Sequence, residues 1–406
     1  MKKILYISGS VGLGHISRDL AIACELRRND SDLEISWLAS PTANQVILEN
    51  GEKLHPSASK WGEENVDLEN ASSKDIYSVN LIKYAFGASK AWKNNVEVFK
   101  EATKNKEFDL VIGDEAYEIH VAILKDPNIK RTPLVFINDF IGMDSMSNNP
   151  LEKVGVYFWN RIWAKDYKRK NPVNDLLLFV GEEEDIPDKT FGIFLPNRRA
   201  YAHDRNMKFT GYVLPFEPAK YEDSEGIKKK LGYPPVPFVI CSIGGTSVGQ
   251  ELLNLCGRAY SIVKGKIPDL HFKMVCGPRL ASKCLSLPAG IEVRDYVPKL
   301  YEHFAACDLA VVQGGGMSTL ELTALRRPFI YFPLEGHSEQ QIHVAGRLAR
   351  QKAGVRLSFS QTNPEILAET MILNIRQKAA WPPIRTDGAQ RAAQLINELL
   401  TKPGKS

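Results

Sequence analysis

Three stretches of this chain put glycine beside hydroxyl or imidazole side chains just past a short apolar run. They are Gly9-Ser-Val-Gly12-Leu-Gly14-His15, Gly244-Gly245-Thr246 and Gly314-Gly315-Gly316-Met317-Ser318-Thr319. Where such a turn opens a helix, backbone N–H groups point outward at the positive end of the helix dipole, and an anion such as phosphate is stabilised there. A glycine turn alone says little, because tight strand-to-helix turns use glycine for positive φ in any case. The residues downstream of the third turn say more. Glu321 stands about one turn into the helix, among Leu320, Leu322 and Leu325. A carboxylate there does nothing for a phosphate by charge, yet it accepts two hydrogen bonds from a ribose diol. Beyond Pro333 a polar cluster, His337-Ser-Glu339-Gln340-Gln341, opens the next helix, and adjacent glutamines offer the donors and acceptors that sugar hydroxyls need.

The first half carries the groups that could move a proton. His15 titrates near neutral pH and is the candidate general base, with Gly14 leaving room for a substrate hydroxyl. Asp114 follows an apolar run and would share the same sheet edge, either orienting the imidazole or acting as base itself. Glu115 and Glu118 are alternatives for the acidic group, and Asp139 ends the next run.

These residues need elements to place them. Short, continuously apolar runs alternate with stretches of helical period, and the alternation occurs twice, which predicts parallel α/β sheets with strands covered on both faces. The first set is Lys3 to Ser8, Leu33 to Ala39, Asp109 to Ile112 and Leu134 to Ile137. The second is Pro237 to Ile243, Leu270 to Val275, Ile291 to Arg294, Leu309 to Val312 and Pro328 to Phe332. A proline-containing, charged stretch separates them. The expected organisation is therefore an N-terminal domain over 1–212, a linker over 213–235, a C-terminal domain over 236–380 and a tail helix within 381–406. At 406 residues with 44% hydrophobic and 25% charged side chains, two domains of about 150 to 200 residues fit better than one core.

Several function classes drop out. The first glycine loop runs G-x-x-G-x-G, and the second strand ends Trp37-Leu38-Ala39-Ser40 with no acidic residue, so a nicotinamide-cofactor site is disfavoured. No G-x-x-x-x-G-K-[ST] is present. A net charge of +4 does not mark a nucleic-acid binder. Six cysteines without a C-x-x-C pair read as reduced, cytosolic usage. The run Ile4 to Ile7 stops at Ser8-Gly9, too short for a signal peptide, and nowhere do about 18 apolar residues follow one another. The expected location is cytoplasmic, at most on a membrane face. In 154–170, Trp159, Trp163 and Tyr167 form one stripe, with Arg161, Lys165 and Lys168 opposite. That fits either a core-facing helix with a solvated basic back or peripheral contact with an anionic membrane.

The stretch Val311 to Leu357 resembles the nucleotide-sugar signature of GT-B glycosyltransferases. The branch it resembles holds the peptidoglycan lipid-intermediate N-acetylglucosaminyltransferase, the galactolipid synthases and the UDP-glycosyltransferases. Ser8 to Arg18 is similar to the family's opening loop, and Gly244-Gly245-Thr246 to its second-domain diphosphate loop. The resemblance implies two Rossmann-like domains with parallel sheets facing across a cleft, the tail helix packing back on the first. It implies that Gly244, Gly245, Thr246 and Gly314 to Thr319 meet the donor diphosphate, Glu321 the ribose, Gln340 and Gln341 the transferred hexose, and Tyr296-Val297 the base. His15 would lie near the acceptor. Members acting on small aglycones usually have His-Cys-Gly where this chain has Gln313-Gly314-Gly315, which shifts weight towards lipid acceptors. No D-x-D motif is present in any strand-end loop, so the transfer is expected to need no metal. The expected reaction is an inverting transfer from a UDP-sugar, with no cofactor. The alternatives are a UDP-N-acetylglucosamine 2-epimerase-like isomerase, although its Gly-Gly-x-Gln-Glu-Glu segment is not matched at Gly315 to Glu321, and a non-catalytic nucleotide-sugar-binding homologue.

Overall fold

The computed structural model describes residues 1–9, 13–73, 77–245, 247–375 and 377–401. The first strand, β1 (Lys3–Ile7), explains why its sequence is apolar without interruption. Successive side chains point to opposite faces, so Ile4 and Tyr6 enter one core and Leu5 and Ile7 another, and all four are fully or almost fully buried.

The same holds for β4 (Leu110–Asp114) and β5 (Leu134–Asn138), every residue of which is buried. With β2 (Glu34–Leu38), β3 (Lys53–Leu54), β6 (Leu176–Phe179) and β7 (Lys208–Phe209) they form a seven-stranded parallel sheet in the order β3-β2-β1-β4-β5-β6-β7. A second, six-stranded parallel sheet is built from β8 (Phe238–Ser242), β9 (His271–Val275), β10 (Glu292–Arg294), β11 (Leu309–Gln313), β12 (Phe329–Phe332) and β13 (Val355–Arg356). Its order is β10-β9-β8-β11-β12-β13. Both orders reverse beside the first strand of the sheet, so the loops leaving β1 and β4, and those leaving β8 and β11, diverge at the carboxyl edge. The α/β architecture with two Rossmann-like sheets is therefore the one read from the sequence.

The chain divides into two compact units: Met1–Leu68 with Ile82–Phe216 and Arg385–Ser406, and Glu69–Leu81 with Glu217–Ile384. This partition differs from the boundaries expected from the sequence. Residues 217–235 are part of the second unit rather than a linker, because Lys228 is buried and paired to Asp308 at 3.1 Å. Trp381 also belongs to the second unit: its ring is buried and donates to the Thr323 carbonyl at 2.9 Å. Glu69–Leu81 joins that unit too. It includes a short antiparallel pair, Ser72–Ser73 with Ser78–Val79, and Val79 N–H and Glu335 N–H donate to the carbonyls of Glu335 and Tyr77. Ser10 to Gly12 and Thr246 lie outside the described residues.

The last helix, Gly388–Thr401, packs on Gly14–Asn29. Ala389, Ala392, Ala393 and Ile396 enter the core that holds Ile16, Ile22, Ala23 and Leu26. Its first residue must be glycine, since a Cβ there would stand 2.6 Å from the Tyr212 carbonyl oxygen. Because Ile396 is fully buried, Ile396→Ala removes methylenes from a packed interior. It is expected to lower the stability of the first unit by about 2–5 kcal/mol in denaturant unfolding. A change below measurement error would contradict the helix's place in that core.

Candidate functional site

In the first unit the switch in strand order brings His15, Asp114 and Asp139 together. β1, β4 and β5 are neighbours, and the three residues sit at or just past their carboxyl ends. His15 occupies the first turn of Gly14–Asn29, and its Nδ1 lies 2.9 Å from Asp114 Oδ2. The close backbone approach to the imidazole comes from Gly9: a Cβ there would be 2.8 Å from the His15 ring. The carboxyl group of Asp114 is fully buried and the His15 side chain is 18% exposed. Nothing among the described residues bonds to Nε2.

Arg18, one turn after His15 and buried, was not among the residues singled out from the sequence, and it organises the cluster. Its guanidinium donates to both carboxylate oxygens of Asp114 and, through Nη1, to Asp139 Oδ2. Its Nη2 is also 2.8 Å from His15 Nδ1. With Nδ1–H donating to Asp114, that contact is a proximity of two donors around one carboxylate. Burial and the Arg18 charge push the His15 pKa down, but Asp114 and Asp139 outweigh them, and the net shift is upward. Burial would raise the two aspartates, yet the Arg18 charge, with His15 behind it, holds both below the ordinary carboxylate range.

The other acidic candidates separate. Glu115 sits in the left-handed region (φ +50°) and accepts from the Asp139 amide and the Tyr117 hydroxyl. Burial, with Asp139 beside it, raises its pKa well above the usual value. Glu118 is a buried helix residue bonded to Asn95, pushed up to about 8 by burial and by Glu64.

In the second unit the corresponding switch lies between β8 and β11. The loop after β8 turns at Gly244 (φ +83°) with Gly245 next and leads to the helix Gln250–Lys266. After β11 the helix Gly316–Ala324 begins. Gly314 is required because a Cβ would meet Pro333 Cα at 2.7 Å. The triplet's amides are not all available, which corrects the expectation for Gly314 and Gly315. Gly314 N–H donates to the Phe332 carbonyl at 3.0 Å, and Gly315 N–H to that of Gln313 at 2.8 Å. Thr319 is likewise spent, with its N–H on Gly315 and its hydroxyl turned back to Gly315 and Gly316. The first helical amides, of Gly316, Met317 and Ser318, have no acceptor among the described residues, as helix geometry dictates. Arg347 braces the turn through the Gly316 carbonyl.

Glu321 follows one turn on. It is 7% exposed, none of the described residues donates to its carboxyl, and burial pushes its pKa up to about 8. The two glutamines lie on a single π-type turn, Glu339–Val344, and differ in use. Gln341 is fully committed, donating to the carbonyls of Pro333 and Leu334 and accepting from Arg356. Gln340 accepts from the Leu334 amide at 2.9 Å, and nothing described takes its amide nitrogen. His337, half-buried beside them, has its pKa lowered to about 4 by desolvation. Tyr296 and Val297 lie on the loop after β10, Val297 buried and Tyr296 41% exposed.

The family model of the glycosyltransferase family 28 C-terminal domain matches residues 239–399. An uncharacterized glycosyltransferase of Methanosarcina acetivorans is 25% identical, covering 99% of this chain and 98% of its own length. At 26% identity, with 97% and 96% covered, stands the UDP-N-acetylglucosamine--N-acetylmuramyl-(pentapeptide) pyrophosphoryl-undecaprenol N-acetylglucosamine transferase of Acetivibrio thermocellus. Among solved structures, the glycosyltransferase of kitacinnamycin superposes with a TM-score of 0.62 at 16% identity, with 98% of each chain covered, a likeness of fold. Residues 239–399 carry the family 28 C-terminal domain match, and the motifs, the double-sheet architecture and the full-length transferase relatives together support the GT-B glycosyltransferase superfamily.

Proposed function

We propose that this glycosyltransferase moves a hexose or N-acetylhexosamine from a UDP-sugar to a hydroxyl acceptor, with inversion and without a metal. The observation that carries the reading is Glu321: among the described residues its buried carboxyl has no donor, and it stands one turn beyond three amides that have no acceptor there, at a sheet switch point. Leaving such a group unsatisfied costs free energy that a ribose diol would recover. A relative that by name uses UDP-N-acetylglucosamine supports uridine as the base. The epimerase alternative draws no support, since the relatives named are transferases.

In this reading the amides of Gly316, Met317 and Ser318, with the Gly244-Gly245-Thr246 loop, hold the diphosphate. They oppose the negative charge that grows on the leaving oxygen, which is the task a divalent ion would otherwise perform. Tyr296 and Val297 border the base, and the Gln340 amide faces the sugar while Gln341 keeps the turn in shape. His15 Nε2 takes the acceptor's proton as its oxygen attacks the anomeric carbon from the side opposite UDP, and this single displacement inverts the centre. Asp114 accepts Nδ1–H and steadies the imidazolium that forms.

Membrane contact is kept in a changed form. Trp159 and Trp163, with Tyr167 at its edge, pack on the first unit's core, so that stripe is not free. Leu151, Val154 and Phe158 on the same helix are exposed, with Arg161 over the Phe158 ring. Ile193 and fully exposed Phe194 follow Gly192, which abuts Tyr157. Apolar side chains beside basic ones suit an anionic bilayer and a lipid-borne acceptor.

Three measurements test this reading. Glu321 is neutral below about pH 8 in the free protein and ionised when it accepts from ribose. UDP binding should therefore release a proton at pH 7 and tighten as the pH rises towards about 8. Glu321→Gln should abolish that pH dependence and weaken UDP about tenfold or more; unchanged affinity with no proton release contradicts the role. For the base, His15→Ala should cut kcat by about 10²–10⁴ while leaving UDP affinity intact. Asp114→Asn should move the acid limb of the rate profile to lower pH, because the group that raises the His15 pKa is gone. Equal losses in binding and rate would make the imidazole structural. Finally, wild type should co-sediment with phosphatidylglycerol vesicles and Phe158→Ser/Phe194→Ser should not; equal sedimentation contradicts the membrane contact.

A further inference from the structure

The second unit already holds an anion at its sheet edge, and the anion is its own. Glu69 forms a two-pronged pair with Arg279, Nε to Oε1 at 2.7 Å and Nη2 to Oε2 at 2.8 Å. Oε1 also accepts from the backbone N–H of Ser247 at 3.0 Å. Arg279 follows β9 and Ser247 follows β8. Because β8 lies between β9 and β11, these groups and the free amides of 316–318 leave neighbouring strands on one edge. A planar guanidinium fork plus a backbone amide is how proteins hold either a carboxylate or a phosphate oxygen. Partial burial pushes the Glu69 carboxyl up, but Arg279 and the Ser247 amide outweigh it and hold the group below its ordinary range, so it is an anion at neutral pH.

Resting on the reading that this unit binds a nucleoside diphosphate, we propose that Arg279 and the Ser247 amide are a receptor for the donor's diphosphate. Glu69 occupies that receptor until the donor arrives, and binding proceeds by exchange of carboxylate for phosphate.

Glu69 is a tethered competitor rather than a plug that must leave the protein. The segment it belongs to has a second anchorage, independent of the carboxylate. Tyr77 donates from its hydroxyl to the Phe332 carbonyl at 3.1 Å and stacks on Phe359 at 4.7 Å, and Val79 and Glu335 are joined through the backbone. Those contacts persist when Glu69 lets go, which keeps its effective concentration high and makes the exchange reversible. The turn at Glu335-Gly336 that anchors the segment adjoins Pro333-Leu334, which Gln340 and Gln341 brace, so the sugar-side residues and the latch share one support. While the carboxylate is in place, the Arg279 charge is neutralised and a free anion gains little there. A uridine diphosphate that also engages Glu321 and the amides of 316–318 brings enough contacts to displace it.

The test is calorimetric titration of the full chain with UDP and, as a probe lacking phosphate, uridine. Glu69→Gln keeps the shape and removes the charge, so UDP should bind about tenfold tighter, with uridine unchanged. Arg279→Ala should weaken UDP about tenfold or more, again with uridine unchanged, and in that background Glu69→Gln should bring no gain. UDP affinity that is equal or weaker in Glu69→Gln overturns the proposal, as does a matching shift for uridine, which would mark a general structural effect. If UDP binds neither wild type nor any variant, the donor reading itself falls. If it binds all of them alike, only the exchange does.

Discussion

At the point where each parallel sheet reverses its winding, two neighbouring loops turn away from one another, and backbone groups are left that no described protein atom takes up. In the second sheet these are the N–H groups of Gly316, Met317 and Ser318. Strands buried on both faces cannot present chemistry along their length, so the functional side chains are displaced to strand ends or to the first turns of the helices that follow. The glycines serve this constraint in different ways. Gly314 lets the β11 turn pass within van der Waals reach of Pro333, and Gly244 takes the positive φ that the β8 turn requires.

Charge is arranged oppositely at the two edges. In the first unit, buried Arg18 is shared between Asp114 and Asp139, and the imidazole of His15 rests on the same carboxylate. Removing Arg18 would strand the buried Asp114 carboxylate, which costs far more than the pairing contributes. Asp114, fixed by Arg18, therefore favours the His15 tautomer with the proton on Nδ1. In the second unit, Glu321 is buried with neither a charge partner nor a described hydrogen-bond donor, and it answers by retaining its proton. The charges of one edge are paired without a ligand and the carboxyl of the other is not, as expected if the first moves a proton and the second waits for polar atoms of a substrate.

Much of this was legible in the residues. The central strands announce themselves as apolar runs because both faces are covered, and the glycine turns followed by Glu321 and Gln340 mark the edge that matters. The strands that escaped are β3, β7 and β13, two-residue edges with no run to see, and β6, whose four apolar residues do not distinguish strand from buried helix. Arg18 escaped because a basic residue three positions after another polar one reads as a solvated helix face. Which amides of the glycine triplet are free depends on the path of β12, whose Phe332 carbonyl claims that of Gly314. The attachment of Glu69–Leu81 to the second unit rests on an ion pair 210 residues apart in sequence, the Tyr77 side chain on Phe332 and Phe359, and backbone bonds, and no local pattern encodes it.

The most direct measurement is a crystal structure with UDP bound. The account predicts phosphate oxygens within hydrogen-bond distance of the amides of Gly316, Met317 and Ser318, and both ribose hydroxyls on the Glu321 carboxylate. A nucleotide seated elsewhere, or those amides capped by the protein's own side chains while UDP is present, would contradict it.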